Sequence, residues 1–232
     1  MGQFRHYLDP SPTLEERQQE AFRALKIKPA QQEGIRALLA PLKAKDILTY
    51  EHSIRVGLLT WQIPRYMHLA VHPGFYSGTL HDVGKAMTDL KTLRNTGAWS
   101  AKDYKEIRHH VLDGFKLLRG KFDFTADIIV CHHLFQSNGY PKRPPPFLHD
   151  YSFGTQVSIL FHARLLALAD CYDALHRVNA KWDEKDELTG KGIKEKMISL
   201  NEDQAQLVKN LYTGRVFTTR LFGKLASASA AI

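Results

Sequence analysis

Two doublets and a few single residues in this 232-residue chain are of types that do chemistry. His81-Asp82 and His132-His133 are adjacent metal-ligating pairs, and His52, His110 and Asp170 add three more donors. Neutral imidazole together with carboxylate suits divalent Mn, Fe, Co, Ni or Zn. A carboxylate has two oxygens, so Asp82 could bridge two ions. Two ions about 3.5–4 Å apart can grip both the attacking and the leaving oxygen of an in-line phosphoryl displacement. Lys85 follows His81 by four residues and Asp82 by three, so on a helix it shares their face. A protonated lysine is a poor metal ligand but a good phosphate contact. Asp82 and Lys85 are therefore the candidate catalytic residues.

The setting of these residues matters as much as their types. Asp170 follows Leu166-Ala167-Leu168-Ala169, and His132-His133 follows Ile128-Ile129-Val130-Cys131. A carboxylate on the apolar stretch of a core helix is costly unless its charge is compensated. Imidazoles and carboxylates converging in one core would be compensated by divalent cations, and helical bundles build metal sites this way. The chain has 12 histidines. His6, His68, His72, His109, His149, His162 and His176 read as ordinary core or surface residues. Each candidate ligand taken singly reads the same way; only the joint pattern points to a site. Whether the residues meet in space is a question for the fold.

The elements that must position them are nearly all helical. Thr13-Leu14-Glu15-Glu16 is a capping box opening a helix to about Lys26. Pro29 opens a second helix, expected to end near Pro41. A third starts near Asp46, carries His52, and is ended or kinked by Pro64. A fourth covers about Phe75 to Lys85. Ser100 caps a fifth that Gly120 stops, a sixth spans Thr125 to Phe135, and a seventh spans Ser158 to His176. Asn201-Glu202-Asp203-Gln204 caps the last. Short alternating Val, Ile and Thr runs are missing, so strands are not expected. Residues 136–156 hold four of the 10 prolines and form one long irregular segment, a length usually reserved for function. The expected organisation is a two-helix extension over residues 1–45, a main helical domain over 46–225 and a frayed tail over 226–232.

Composition sets the outer limits. With 44% hydrophobic and 24% charged residues, the chain can bury one sizeable core. No apolar run approaches a membrane span, and Met1 to His6 lacks the pattern of a secretory signal. Two cysteines, Cys131 and Cys171, exclude a disulfide scaffold and fit a reducing, cytoplasmic setting. They adjoin candidate ligands but point elsewhere on a helix, and read as buried fillers. The net charge of +8 fits an anionic partner. No nucleic-acid motif accompanies it, so nucleic acid is not expected.

The motifs in order resemble the HD-GYP family, a branch of the HD superfamily of metal-dependent phosphohydrolases. Thr49-Tyr50-Glu51-His52-Ser53-Ile54-Arg55-Val56 is similar to its opening helix. Leu80-His81-Asp82-Val83-Gly84-Lys85 is similar to its "LHDIGK" signature, and His110-Val111-Leu112-Asp113-Gly114 to "H-P-x-x-G". His132-His133 with Gly139-Tyr140-Pro141 resembles "HHE…GYP", and residues 166–175 resemble "ILAVADVFDAL". The resemblance spans about Asp46 to Asp173. It implies an all-α HD-domain bundle with His52, His81, Asp82, His110, His132, His133 and Asp170 as ligands of two divalent ions, commonly iron or manganese. It also implies hydrolysis of a cyclic dinucleotide, cyclic di-GMP foremost or the mixed cyclic GMP-AMP, to linear or mononucleotide products. The expected nucleophile is a metal-bridged hydroxide. A diguanylate cyclase domain is a possible partner, and a homodimer a possible assembly.

Other positions are assigned around that core. Lys142 and Arg143, beside Tyr140 in the proline-rich loop, are placed to contact the rest of the substrate. Arg177, with Lys181 nearby, stands where the family has a further basic segment. Asp173, one turn after Asp170, is a candidate proton donor or a hydrogen-bond partner of a histidine ligand. The chain departs from the family at Leu48, where some members have a glutamate that helps hold a third metal. It departs again at Leu134, which replaces the glutamate after the double histidine, and in a loop one residue short before Gly139. Two other readings stand beside the first: a different HD phosphohydrolase acting on mononucleotides, dNTPs or alarmones, and a cyclic-dinucleotide sensor with little turnover.

Overall fold

The computed structural model describes residues 12–95, 97–176 and 190–218. Among them every regular element is helical. The expectations for Arg177, Lys181, His6 and the tail 226–232 lie outside the described residues.

Helix α1 (Leu14–Ala24) starts at the expected capping box: Thr13 Oγ1 accepts from the Glu16 amide, and the Glu16 carboxylate accepts from the Thr13 amide. Helix α2 (Pro29–Lys45) runs through Pro41 rather than ending there. Pro41 lies on the exposed face, as does Ala37, whose carbonyl loses its partner, so water can satisfy it. Leu39 and Leu42, on the opposite face, are fully buried and hold the helix down. Both helices pack on α3 (Ile47–Tyr66). Asp46 caps α3 by accepting from the Thr49 amide at 3.2 Å. Pro64 sits in its last turn, and the helix ends two residues later at Tyr66, close to where the proline was expected to end it.

Helix α4 (Val71–Leu80) crosses α3 at very short range. Two glycines permit it: a Cβ on Gly57 would collide with Thr79, and one on Gly78 with Thr60 and the Val56 carbonyl. This approach brings His52 on α3 and His81 at the end of α4 together. The fourth helix was expected to reach Lys85; it stops at Leu80, and Val83–Met87 form a 3-10 turn. Gly84 in that turn lies against the backbone of His110 and Gly114, where any Cβ would strike the His110 carbonyl. Lys45 at the end of α2 donates to the carbonyls of Ala86 and Thr88, which fixes the same turn from the other side.

A short α5 (Leu90–Leu93) leads to α6 (Ala101–Arg108), capped by Ser100 as expected. The single helix expected from Ser100 to Gly120 is broken at His109, and α7 (His110–Leu118) starts afresh. Helix α8 (Asp123–Ile129) ends six residues before the expected Phe135, because Val130 to Ser137 form turns. Helix α9 (Phe153–Leu175) starts five residues earlier than expected, capped by Ser152. It is the central helix, packed against α3, α4 and α8. Helices α10 (Gly190–Leu200) and α11 (Ala205–Thr213) pack on each other, and α10 lies on α9. One hydrophobic cluster joins all of this, from Phe22 and Leu39 through Ile54, Leu80 and Leu166 to Met197 and Leu211. No helix of the described residues is long and apolar enough to cross a membrane.

Candidate metal centre

Five segments deliver the seven residues to one point. His52 comes from the middle of α3. His81 is the residue after α4, and Asp82 follows in the turn. His110 is the first residue of α7, so the break at His109 is what aims it inward. His132 and His133 lie in the turn after α8, and Asp170 on the last two turns of α9. His52, His81, Asp82 and His132 are fully buried, and His110 and His133 nearly so.

The distances are those of a shared site. His52 Nε2 is 3.1 Å from Asp170 Oδ1 and 3.5 Å from Asp82 Oδ2. His81 Nε2 is 3.3 Å from Asp82 Oδ2, and His110 Nε2 is 3.4 Å from Asp82 Oδ1. Three overlapping donor sets form: His52, His81 and Asp170; His81, Asp82 and His132; His110, His132 and His133. Asp82 lies centrally, with one oxygen toward His52 and His81 and the other toward His110.

Each ring is turned by what its Nδ1 meets. His81 Nδ1 pairs with the Gly78 carbonyl at 2.8 Å, His110 Nδ1 with Ile107 at 2.5 Å, and His132 Nδ1 with Ile129 at 2.5 Å. His52 Nδ1 is 2.6 Å from Asp173 Oδ2. A carbonyl or carboxylate at Nδ1 accepts its proton and leaves Nε2 as a lone pair, the form that binds metal. His133 differs: its Nδ1 meets the Gln136 side-chain amide at 2.8 Å. The group there is the Gln136 NH₂, which donates to Nδ1, so this ring is held by a donor where the others are held by acceptors.

Three atoms test whether these residues fit a metal. Asp82 Oδ1, His110 Nε2 and His132 Nε2 are buried with no hydrogen-bond partner. Such orphans cost about 1–3 kcal/mol apiece. In addition, His52 Nε2 and His81 Nε2 face each other at 3.2 Å, an arrangement that needs a cation or a proton between the lone pairs. All of these atoms are nitrogen or carboxylate oxygen aimed at one centre, which is the donor set of a divalent transition metal. The residues fit.

Electrostatics agree. Burial holds the pKa of His110 down to about 3 and that of His132 to about 4, and pushes His133 well below its usual range. These rings therefore keep free lone pairs at neutral pH. Burial opposes the charge on Asp82, but His81, Lys85 and His110 outweigh it and hold its pKa well below the usual carboxylate range. Asp170 is lowered likewise, with His52 the main partner overcoming burial. His81 moves up, since Asp82 and Asp170 outweigh its burial. Lys85 leaves the helical face expected of it, yet from the 3-10 turn its Nζ still reaches Asp82 Oδ2 at 2.5 Å.

Around the cluster, Asp173 accepts from Arg55 Nε at 2.6 Å and Nη2 at 3.2 Å while meeting His52. The carboxylate is fully buried, so it is enclosed between a guanidinium and an imidazole. Tyr140 stacks on His133 at 4.5 Å between ring centroids. Lys142 and Arg143 are exposed, and the structure ties neither to the cluster. Cys131 is buried, with its thiol pushed up to about 11 by desolvation, while Cys171 is only half-buried and faces Asn201. His109 is exposed and pairs at 2.8 Å with the half-buried Asp113. Leu48, one turn before His52, is 58% exposed at the rim. Reasoning from sequence overlooked Arg55 and Gln136 as orienting groups. Each lies three residues after a ligand candidate, a spacing that could have signalled them.

The HD-domain family model matches residues 49–175, more than half of the chain. The chain belongs to the HD-domain family. His81-Asp82 is then the doublet after which an HD domain is named, and an all-helical, divalent-metal phosphohydrolase framework comes with it. Among curated proteins the chain is similar to 3'3'-cGAMP-specific phosphodiesterase 1 of Vibrio cholerae serotype O1, at 27% identity over 142 residues. That stretch covers 57% of this chain and 30% of the relative. The HD chain thus spans about a third of the length of the curated relative it matches.

Proposed function

We propose that this HD protein is a metal-dependent phosphodiesterase of the HD-GYP kind that opens a cyclic dinucleotide, cyclic di-GMP or the mixed cyclic GMP-AMP. The observation that carries the reading is the convergence of five histidines and two aspartates on one buried point, with Asp82 Oδ1, His110 Nε2 and His132 Nε2 unpartnered. His110, His132 and His133 supply more donors than a single-ion site needs, which supports two ions. His52, His81 and Asp170 would hold one, His110, His132 and His133 the other, with Asp82 between them. Iron or manganese suits this mixed donor set, as Ni, Co or Zn also do. When bound, the ions supply an activated water near neutral pH and charge neutralisation at the phosphoryl oxygens.

The chain's own groups do the rest. Lys85, half-buried beside Asp82, is placed to take a phosphoryl oxygen as negative charge grows on it. Asp173 and Arg55 hold the His52 ring in its orientation, and the backbone carbonyls of Gly78, Ile107 and Ile129 hold the others. Tyr140 packs its ring against that of His133. Lys142 and Arg143, two and three residues after Tyr140, are exposed cations that would suit the rest of an anionic substrate.

A substrate panel in Mn²⁺ and Fe²⁺ tests the reading: cyclic di-GMP, cyclic GMP-AMP, dNTPs and a guanosine tetraphosphate. The expected result is a linear dinucleotide or mononucleotides from the cyclic compounds. Cleavage confined to dNTPs or alarmones would contradict it, and tight cyclic-dinucleotide binding without product would make the protein a sensor.

A further inference from the structure

A second arrangement leads away from the metal cluster. Arg108, the last residue of α6, sets its guanidinium carbon 5.4 Å from the centre of the Tyr140 ring and 5.5 Å from that of Tyr104. Tyr104 lies 5.4 Å from Trp99, whose indole N–H is fixed by donating to the Asn95 carbonyl at 3.2 Å. Tyr140 in turn stacks on His133 at 4.5 Å and 26°. The residues Trp99, Tyr104, Arg108, Tyr140 and His133 thus make one continuous row. It starts at Tyr104 and Trp99, with Tyr104 45% exposed, and ends on a ring of the metal cluster.

The middle of the row is chemically unfinished. Arg108 is half-buried between two aromatic faces, and no carboxylate of the described residues pairs with it. Ring faces attract a guanidinium but leave its in-plane N–H donors unused. Those donors match a phosphate, which guanidinium binds in a fork. Exposed aromatic rings beside a cation are also how proteins hold unpaired bases without reading their sequence. A row with both features, anchored on His133, fits a nucleotide extending out of the metal site.

A cyclic dinucleotide carries two phosphodiesters. When one lies at Asp82 and Lys85, the other is held away from them by the macrocycle and needs its own cation. We propose that Arg108 binds this second, uncleaved phosphate, and that Tyr104 and Trp99 stack the base attached to it. The inference rests on the cyclic-dinucleotide reading above and adds where the second half of that substrate sits. A substrate with one phosphodiester and no base would not use the row.

The test compares Arg108→Ala, Arg108→Lys and Tyr104→Ala with the unaltered protein, all loaded with Mn²⁺. Two substrates are used: a cyclic dinucleotide and bis(p-nitrophenyl) phosphate, which has a single phosphodiester. Arg108→Ala should raise KM for the cyclic dinucleotide about tenfold or more, Tyr104→Ala about fivefold, and Arg108→Lys less than Arg108→Ala. The single-phosphodiester kinetics, the metal content and the thermal midpoint should stay as they were. An equal loss on both substrates, or a drop in bound metal, would make Arg108 a mere support for Tyr140 and overturn the proposal. No change on either substrate would overturn it too. If the unaltered protein cleaves bis(p-nitrophenyl) phosphate but binds and cleaves no cyclic dinucleotide, the substrate reading itself fails and takes this one with it.

Discussion

Replacing Asp173 with asparagine probes how the metal site is held. The Asp173 carboxylate is fully buried, takes two hydrogen bonds from Arg55 and meets His52 Nδ1 at 2.6 Å. Burial opposes its charge, but His52 and Arg55 hold its pKa far below the ordinary carboxylate range. Asparagine is nearly the same size, so packing survives. The Arg55 guanidinium, however, loses its buried counter-charge, a change that typically costs about 3–5 kcal/mol. For a domain of this size that is a fall of about 6–20 °C in the thermal midpoint. The second effect is on the metal. The asparagine amide can turn its NH₂ toward His52 Nδ1, which moves the ring proton to Nε2 and spoils the ligand. Loss of such an orienting group lowers metal affinity about 10–100-fold. The assay is a Mn²⁺ titration of metal-stripped protein by calorimetry, beside thermal unfolding of the same samples. Unchanged metal affinity with a lowered midpoint would show that Asp173 only braces α3 against α9, and would refute the orienting role. An unchanged midpoint would refute the ion-pair argument as well.

Asp82→Ala should strip the bound metal and lower turnover by about 10³-fold or more; retention of full activity would remove Asp82 from its central place. Gly84→Ala should destabilise the fold by about 1–3 kcal/mol, since its new Cβ meets the His110 carbonyl, and weaken metal binding by displacing the first turn of α7; a neutral effect in chemical denaturation would contradict that packing. The metal-free protein should lose stability as pH falls from about 6.5 to 4. The folded pKa values of His110 and His132, about 3 and 4, lie below their ordinary 6.5, so the unfolded chain binds the extra protons. At pH 5 the loss is at most about 2 kcal/mol per histidine. His81, shifted the other way, offsets part of it, because its contribution is present in acid and fades as pH rises. Below about pH 4 protonation of Asp82, Asp170 and Asp173 adds to the loss, since their stabilising charge disappears. Denaturant midpoints measured across this range in EDTA, flat with pH, would contradict the buried, neutral histidines.

Asp170 and the two doublets were legible because they stand as polar positions in apolar sequence, which survives any small error in helix boundaries; His52 and His110, flanked by Glu51, Ser53, Arg108 and His109, were legible only jointly with them. The boundaries themselves were less legible. Nothing local marks the break at His109; it exists because His110 must face Asp82 and because the α7 backbone lies against Gly84. Pro41 misled for the opposite reason, since a proline on a solvent-facing helix surface forfeits one hydrogen bond that water replaces. Helix α10 was not anticipated, as its sequence carries two glycines in the first turn and buries only Ile193 and Met197. The pairing of Arg55 with Asp173 spans 118 residues, and the row through Arg108 joins α6 to the loop after α8. Such contacts belong to the tertiary fold, and residue type alone does not announce them.

The central claim is that the buried histidines and aspartates form a two-ion centre that drives cleavage of a cyclic dinucleotide. Its most direct test is a titration of EDTA-stripped protein with Mn²⁺ or Fe²⁺ while hydrolysis of cyclic GMP-AMP and cyclic di-GMP is followed. The account predicts no turnover without metal and a rise that saturates at two ions per chain. Turnover that persists in EDTA, or two ions bound with no cyclic dinucleotide opened, would contradict it.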